Sequence, residues 1–158
     1  MLPILLLYLG TSGDMKELRV LQIDDDEDDH LFLSWAVERA GVPMQLHFVS
    51  KAHKALELLR CLSESQALPH YILLDVRMPE VSGHELAQII RAMPELQSVP
   101  IVMFTSSNHP ADVRMARESG AVAYFEKPTD LATIVTLVKE WYGCWQRGEL
   151  LRRWPNAV

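Results

Sequence analysis

Short apolar runs alternate along the chain with longer stretches in which apolar residues recur at helical spacing. The apolar runs predict five strands, at residues 19–23, 44–49, 70–74, 99–104 and 121–125. The helical stretches that follow them are predicted at residues 28–40, 52–62, 82–92 and 110–119, and a long final helix begins after Asp130. Five strand–helix units in series predict an α/β fold with a parallel sheet covered by helices on both faces.

Length and composition predict one soluble domain. The 158 residues are 49% hydrophobic and 23% charged, which suits a single core. We expect an N-terminal extension at residues 1–16, the folded domain at residues 17–145 and a C-terminal tail at residues 146–158. The formal net charge of −6 argues against nucleic-acid binding, which favours a basic surface.

The first nine residues are almost wholly apolar, but they do not predict a membrane protein. A bilayer span needs roughly 20 apolar residues, and the segment lacks the basic start and cleavage site of a signal peptide. Residues 1–14 are either an upstream extension with a mis-set start or an arm that packs on a partner.

Cys61 and Cys144 belong to no paired motif, so we expect free thiols in a reducing, cytoplasmic compartment and no membrane association.

Chemically reactive side chains follow the predicted strands. Asp24, Asp25 and Asp26 follow the first strand and Asp75 the third, while the fourth and fifth lead to Thr105 and Lys127. Because ligands bind beyond the carboxyl ends of parallel strands, we expect these groups to meet at one edge. Clustered carboxylates attract a cation, and oxygen ligands with room for water favour Mg²⁺. A carboxylate beside Mg²⁺ is a nucleophile towards phosphorus, with the lysine ammonium offsetting the transferred charge.

Four motifs in register resemble the signature of the receiver domain of two-component response regulators. They are Ile23-Asp24-Asp25-Asp26, Leu73-Leu74-Asp75-Val76-Arg77-Met78-Pro79 with Gly83, Val102-Met103-Phe104-Thr105-Ser106, and Tyr124-Phe125-Glu126-Lys127-Pro128. Their order matches the family, as do the gaps of 30 and 22 residues that separate the aspartate, threonine and lysine.

The resemblance implies a flavodoxin-like (βα)5 fold with strand order 2-1-3-4-5, and a set of residue roles. Asp75 would be the phosphoacceptor, Thr105 and Lys127 would contact the phosphoryl group, and Thr105 and Tyr124 would form the switch. Mg²⁺ would be held by Asp24, Asp25, Asp75 and the backbone carbonyl of Arg77. The bond between Lys127 and Pro128 is typically cis in this family.

The same resemblance implies a stand-alone regulator phosphorylated by a sensor histidine kinase or phosphotransfer protein. Residues 105–108 and the Trp141-Tyr142 pair resemble single-domain partners of cyanobacterial phytochromes. About a dozen residues follow Trp145, so we expect no DNA-binding output domain. Such a protein is not an enzyme, except that it catalyses its own phosphorylation and dephosphorylation.

Other functions stay open. A phosphatase of the haloacid-dehalogenase type also uses an aspartyl nucleophile, Mg²⁺ and a lysine, but Asp24-x-Asp26 is followed by Glu27 and Asp28. A receiver-like scaffold would act without phosphorylation. The acids at positions 26–29 also fit helix capping, Tyr124 also fits packing on a strand, and His84 and His109 fit surface positions near helix starts.

The end of the chain carries more apolar area than one helix on a small sheet can bury. Leu131, Ile134, Val135 and Val138 give the final helix a stripe that faces the core. The apolar residues beyond the stripe are Trp141, Tyr142, Trp145, Leu150, Leu151 and Trp154. We therefore expect a homodimer through this helix and tail. The alternative is a tail that folds back over its own domain and covers the N-terminal arm.

Overall fold

A computed structural model describes residues 16–155 of the chain. The predicted N-terminal arm, residues 1–14, lies outside these residues. Within residues 16–155, no helix is long and apolar enough to cross a membrane.

Five parallel strands form a single sheet. They are β1 (Leu18–Ile23), β2 (Met44–Val49), β3 (Tyr71–Leu74), β4 (Ile101–Thr105) and β5 (Ala123–Glu126). Their spatial order is β2-β1-β3-β4-β5, which confirms the predicted topology. Every residue of β3 is buried, as expected for an apolar run in the middle of a sheet covered on both faces.

Five α-helices follow the strands: α1 (Glu27–Ala40), α2 (Ala52–Glu64), α3 (Gly83–Ala92), α4 (Pro110–Glu118) and α5 (Leu131–Gln146). Local capping fixes several of their starts. Asp26 accepts a hydrogen bond from the backbone N–H of Asp28 at the start of α1, and Ser82 and Glu85 form a capping box at the start of α3. The helix boundaries therefore lie within two residues of the predicted ones.

The two faces of the sheet bury separate hydrophobic clusters. The first packs under α1 and α5 and includes Trp141, which is 1% exposed. The second packs under α2, α3 and α4 and includes Tyr124, which is also 1% exposed. Successive residues of a strand point to opposite faces, so Tyr124 and Phe125 contribute to different clusters.

Two predicted strands start two residues too early, and the fifth begins at Ala123 rather than at position 121. A short 3-10 helix at Pro94–Leu96 was not predicted, and the backbone N–H of Val99 donates to the carbonyl of Leu96. Pro100 has no N–H to contribute to a ladder. The strand β4 therefore begins at Ile101 rather than at position 99.

Candidate functional site

Three aspartates converge at the carboxyl edge of the sheet. Asp24 and Asp25 follow β1, and Asp75 follows β3. One carboxylate oxygen of each residue lies within 4.8 Å of the other two. Asp24 is 1% exposed and Asp75 is 8% exposed, whereas Asp25 is exposed. The cluster is therefore open to solvent on the Asp25 side.

Backbone contacts fix the position of Asp75. Its N–H donates to the carbonyl of Ile23 at 3.0 Å, which ties it to the end of β1. The start of α3 lies directly against it, because a Cβ atom built on Gly83 would lie 2.0 Å from the carbonyl oxygen of Asp75. Only glycine allows this approach, which explains the glycine in the second motif.

Lys127 connects the carboxylates. Its Nζ lies 2.6 Å from Asp24 Oδ2, 2.6 Å from Asp29 Oδ2 and 3.5 Å from Asp75 Oδ2. The side chain is 9% exposed, and its backbone N–H donates to the carbonyl of Thr105 at 2.8 Å. The ammonium is therefore held within ion-pairing distance of Asp75 by two other acids.

Burial and pairing have opposing effects on these charges. Burial raises the pKa of Asp24 to about 6, although the hydrogen bond from Lys127 lowers it. Burial disfavours the charged form of Lys127 as well, but hydrogen bonds to Asp24 and Asp29 raise the pKa of the lysine above its usual value. Lys127 is therefore cationic at neutral pH.

Asp29 is the residue that the sequence analysis missed. The sequence predicts helix-capping and first-turn roles for the acids at positions 26–29, and Asp26 does cap α1. Asp29 has another role, because its carboxylate binds Lys127. In the sequence it has the same local pattern as the first-turn acids Glu27 and Asp28, so no signal there distinguished it.

Thr105 and Tyr124 are connected through the loop that follows β4. The hydroxyl oxygen of Thr105 accepts a hydrogen bond from the backbone N–H of Ser107 at 3.3 Å. The hydroxyl of Tyr124 donates to the backbone carbonyl of Ser107 at 2.8 Å. Burial raises the pKa of Tyr124 to about 12, so its hydroxyl stays protonated. The two residues predicted as a switch thus share one loop residue as a partner.

A cleft of about 550 Å³ opens beside the carboxylates, between the start of α3 and α4. Asp112 of α4 lies between Arg77 and His84, at 3.8 Å from the Arg77 guanidinium and 3.7 Å from His84 Nε2. Asp112 also accepts a hydrogen bond from the hydroxyl of Ser107. The Arg77 backbone N–H lies 3.5 Å from Asp75 Oδ1, while its side chain is 75% exposed.

Two expectations are wrong. The surface position predicted for His84 is wrong, because the side chain is 4% exposed beside Asp112 of α4, and neither ring nitrogen has a hydrogen-bond partner among the described residues. His109 does lie at a helix start, where Nδ1 accepts from the N–H of Ala111.

The bond between Lys127 and Pro128 is trans, since residues 16–155 contain no cis peptide bond, and trans is the more stable isomer by about 0.5–1 kcal/mol.

The donor set suits a hard divalent cation. Carboxylate oxygens and water are the ligands that Mg²⁺ prefers, and the exposed side of the cluster leaves room for water. The buried Asp24 carboxylate, whose pKa burial raises, would be favoured in its charged form by a cation. The residues present therefore fit Mg²⁺ or an ion of similar chemistry.

Sequence comparisons identify relatives over most of the chain. The family model of the response regulator receiver domain matches residues 20–139. The chain is 32% identical over 145 residues to the "Probable methanogenesis regulatory protein FilR2" of Methanothrix harundinacea, covering 86% of this chain and 93% of that one. It is 26% identical over 124 residues to the polar-differentiation response regulator DivK of Brucella anthropi, covering 78% and 95%.

Solved structures share the fold. The phosphorylated cyanobacterial phytochrome response regulator RcpA has a TM-score of 0.74 at 22% identity, covering 86% of this chain and 99% of that one. The Mn²⁺-bound form of response regulator Rcp1 has a TM-score of 0.69 at 23% identity, covering 85% and 98%. The bacteriophytochrome response regulator RtBRR is 31% identical, with a TM-score of 0.63 and coverage of 79% and 78%.

Proposed function

The chain belongs to the family of response regulator receiver domains, and from that premise we propose that it is a two-component response regulator phosphorylated on Asp75. A sensor histidine kinase or a phosphotransfer protein supplies the phosphoryl group. An Asp75 carboxylate oxygen attacks phosphorus, the bond from phosphorus to the histidine nitrogen breaks, and an aspartyl phosphate forms. The observation that carries the proposal is the meeting of Asp24, Asp25, Asp75 and Lys127 at one edge of the sheet.

The electrostatics of the site support this reaction. The Lys127 ammonium lies 3.5 Å from Asp75 Oδ2, close enough to pair with a phosphoryl oxygen on that carboxylate. Its two other partners, Asp24 and Asp29, keep it in place. A preorganised cation of this kind stabilises charge that develops in the transition state.

We propose that Mg²⁺ is bound by Asp24, Asp25, Asp75 and the Arg77 carbonyl. When bound, the ion neutralises charge on the carboxylates and on the transferring phosphoryl group. The Mn²⁺-bound form of Rcp1 supports a divalent-metal site in a protein of the same fold. Asp24 is deeply buried and Asp25 exposed, so Asp25 is the better placed of the two to bind the ion directly.

We propose that Thr105 and Tyr124 form the switch. The Thr105 hydroxyl turns to donate to a phosphoryl oxygen and leaves the N–H of Ser107. Because Tyr124 donates to the carbonyl of the same residue, a shift of this loop changes the environment of the tyrosine. The pair therefore passes the phosphorylation state from the site to β5 and α4.

We propose that output occurs through protein contacts in the cytoplasm, with no nucleic-acid or membrane binding and with residues 17–145 as the receiver domain.

An apolar pair on α1 supports docking of a protein phosphodonor near the site, since Leu31 is 48% exposed and Trp35 is 51% exposed. Helix α1 begins at the acidic edge, so a partner on this face reaches Asp75.

The homodimer through the final helix and tail stays a prediction. The area argument behind it is weaker in the structure, because the chain buries Trp141, Tyr142 and Leu151 in its own core. The tail folds back on its own domain, as the alternative states. The N-terminal arm, residues 1–14, lies outside the described residues, so its covering by the tail stays a prediction. Sedimentation of the full chain and of a chain ending after Tyr142, with and without phosphodonor, decides the matter, because monomers throughout would exclude the dimer.

Incubation with a small phosphodonor and Mg²⁺ tests the proposed function. A receiver accumulates one phosphoryl group that is lost slowly, and intact-mass spectrometry detects it. A phosphatase of the haloacid-dehalogenase type instead releases phosphate with repeated turnover, and a scaffold does neither. Either of the last two results would contradict the proposal.

A further inference from the structure

The segment after α5, here called the strap (residues 149–155), reverses direction and returns along the domain. Gly148 has a φ of +68°, and its N–H donates to the carbonyl of Trp145 while the N–H of Glu149 donates to the carbonyl of Cys144. This pair of bonds is a Schellman motif, which needs a left-handed residue at the position of Gly148. The turn directs the strap towards β5.

The strap pairs with the open edge of β5. The backbone N–H of Tyr124 donates to the carbonyl of Arg153 at 2.7 Å. The Arg153 guanidinium binds both carboxylate oxygens of Glu140 on α5, at 2.8 and 2.9 Å, and lies 5.0 Å from the centre of the Phe125 ring. An edge strand offers unpaired backbone groups to another chain, and here the strap takes one of them.

Two apolar side chains anchor the strap on opposite faces of the sheet. Leu151 is 2% exposed and belongs to the cluster under α1 and α5. Trp154 packs against the cluster under α2, α3 and α4, and the Arg117 guanidinium of α4 lies 4.4 Å from the centre of its ring. One short segment therefore contacts α4, β5 and α5 together.

The strap meets the switch at a single residue. Tyr124 holds the strap through its backbone N–H and holds the loop after β4 through its hydroxyl. That loop is bonded to the Thr105 hydroxyl through Ser107. Movement of the loop and of α4 would therefore disturb both Tyr124 and the support under Trp154.

We propose that the strap is an intramolecular cover of the β5 edge that is released when Asp75 is phosphorylated. In the unphosphorylated protein the strap occupies the edge, so a partner that adds an extended segment to β5 must displace it. Phosphorylation favours a conformation in which the strap binds less well. The edge of β5 and the neighbouring surfaces of α4 and α5 then become exposed. This inference rests on the proposed function.

Amide hydrogen exchange, read residue by residue by NMR, tests the release. In the unphosphorylated protein the Tyr124 amide should be protected. After phosphorylation with a small phosphodonor and Mg²⁺, it should exchange at least about ten-fold faster. The Val122 amide is the matched control, because it donates to Ile101 of β4 just before β5 begins, away from Asp75, and should keep its protection.

The intact mass of the same samples separates the possible failures. An added phosphoryl group with unchanged Tyr124 exchange would overturn the strap proposal and leave the proposed function standing. No added phosphoryl group would overturn the proposed function and the release with it. Equal acceleration at Tyr124 and Val122 would indicate general loosening of β5 and would also overturn the strap proposal.

A pair of neighbouring leucines gives a second test without phosphate. Leu151→Ala removes the buried anchor and should accelerate Tyr124 exchange, whereas Leu150→Ala changes a side chain that is 53% exposed and should have no effect. Trp154→Ala tests the anchor on the α4 side if Leu151→Ala loses the fold. Tyr124 protection unchanged in the folded anchor variants would contradict the proposal.

Discussion

The two sides of Asp75 differ in how tightly their charges are held. On the lysine side (Lys127, Asp24 and Asp29) the ammonium lies 2.6 Å from two carboxylates. On the α4 side (Arg77, His84 and Asp112) the Asp112 carboxylate lies 3.7 Å from His84 Nε2 and 3.8 Å from the Arg77 guanidinium. The first arrangement fixes the position of a cation beside Asp75, where the proposed phosphoryl transfer would need it. The second leaves the side chains of α3 and α4 weakly connected, in the region where the proposed switch loop would move.

Loss of the lysine should have the largest effect on stability. Lys127→Met leaves Asp24 buried without its ammonium partner, and breaking a buried ion pair in this way costs about 3–5 kcal/mol. Urea unfolding at pH 7.5 without metal measures the change. Lys139→Met, at an exposed position of α5, is the control and should change little. Equal effects of the two variants would show that the lysine side is not the rigid one.

The pH dependence of stability should report the buried acid of the lysine side. Burial raises the pKa of Asp24 from 3.8 to about 6, so the folded state keeps a proton that the unfolded state loses. Stability from this group is complete below pH 4 and is lost as pH rises to about 6, by up to about 3 kcal/mol.

The variant Asp24→Asn does not titrate at this position. In metal-free buffer, its free energy of unfolding minus that of wild type should therefore increase from pH 4 to pH 7.5. Urea unfolding of both proteins at the two pH values measures the gain. Parallel pH profiles for the two proteins would contradict the assignment.

Mg²⁺ should stabilise the folded protein by a smaller amount. A ligand that binds only the folded state at ten times its Kd adds about 1.4 kcal/mol, and in our proposal the exposed acid Asp25 binds the ion directly. Thermal unfolding should show a higher Tm in millimolar Mg²⁺ for wild type and no rise for Asp25→Ala. Asp28→Ala is a control on the solvent side of α1. A rise that survives in Asp25→Ala would locate the ion elsewhere.

The smallest effect is expected on the α4 side. His84 is buried with neither ring nitrogen hydrogen-bonded among the described residues, so His84→Leu removes no strong polar contact and should change stability by less than about 1 kcal/mol. Urea unfolding of His84→Leu and Lys127→Met under the same conditions measures the two losses of stability. A loss as large as that of the lysine variant would show that the α4 side is held as firmly as the other.

The alternation of strands and helices was predictable because the apolar runs are short and the stretches between them have helical spacing. The run before Asp75 is too short for a helix and too apolar for a half-exposed strand, so it predicts a central strand. The convergence of Asp24, Asp75 and Lys127 follows, since parallel strands bring their carboxyl ends to one edge. The resemblance added the strand order, which periodicity cannot supply.

Tertiary contacts account for what the sequence analysis missed. His84 is next to a helix start, where exposure is usual, and only the folded structure brings Asp112 of α4 beside it. Asp29 has the same local signature as the first-turn acids Glu27 and Asp28, and only the position of β5 brings Lys127 to it. The tail folds back because Leu151 and Trp154 pack on hydrophobic clusters that exist only in the folded protein.

Phosphorylation of Asp75 is tested most directly by mapping the modified residue. Wild type and Asp75→Asn are incubated with a small phosphodonor and Mg²⁺, and the phosphoryl group is counted by intact mass and located by borohydride trapping of the acyl phosphate. Asp29→Asn is the matched control, since it changes another acid that contacts Lys127. We predict one phosphoryl group, on Asp75, in wild type and in Asp29→Asn, and none in Asp75→Asn. Undiminished phosphate on a folded Asp75→Asn protein would contradict the account.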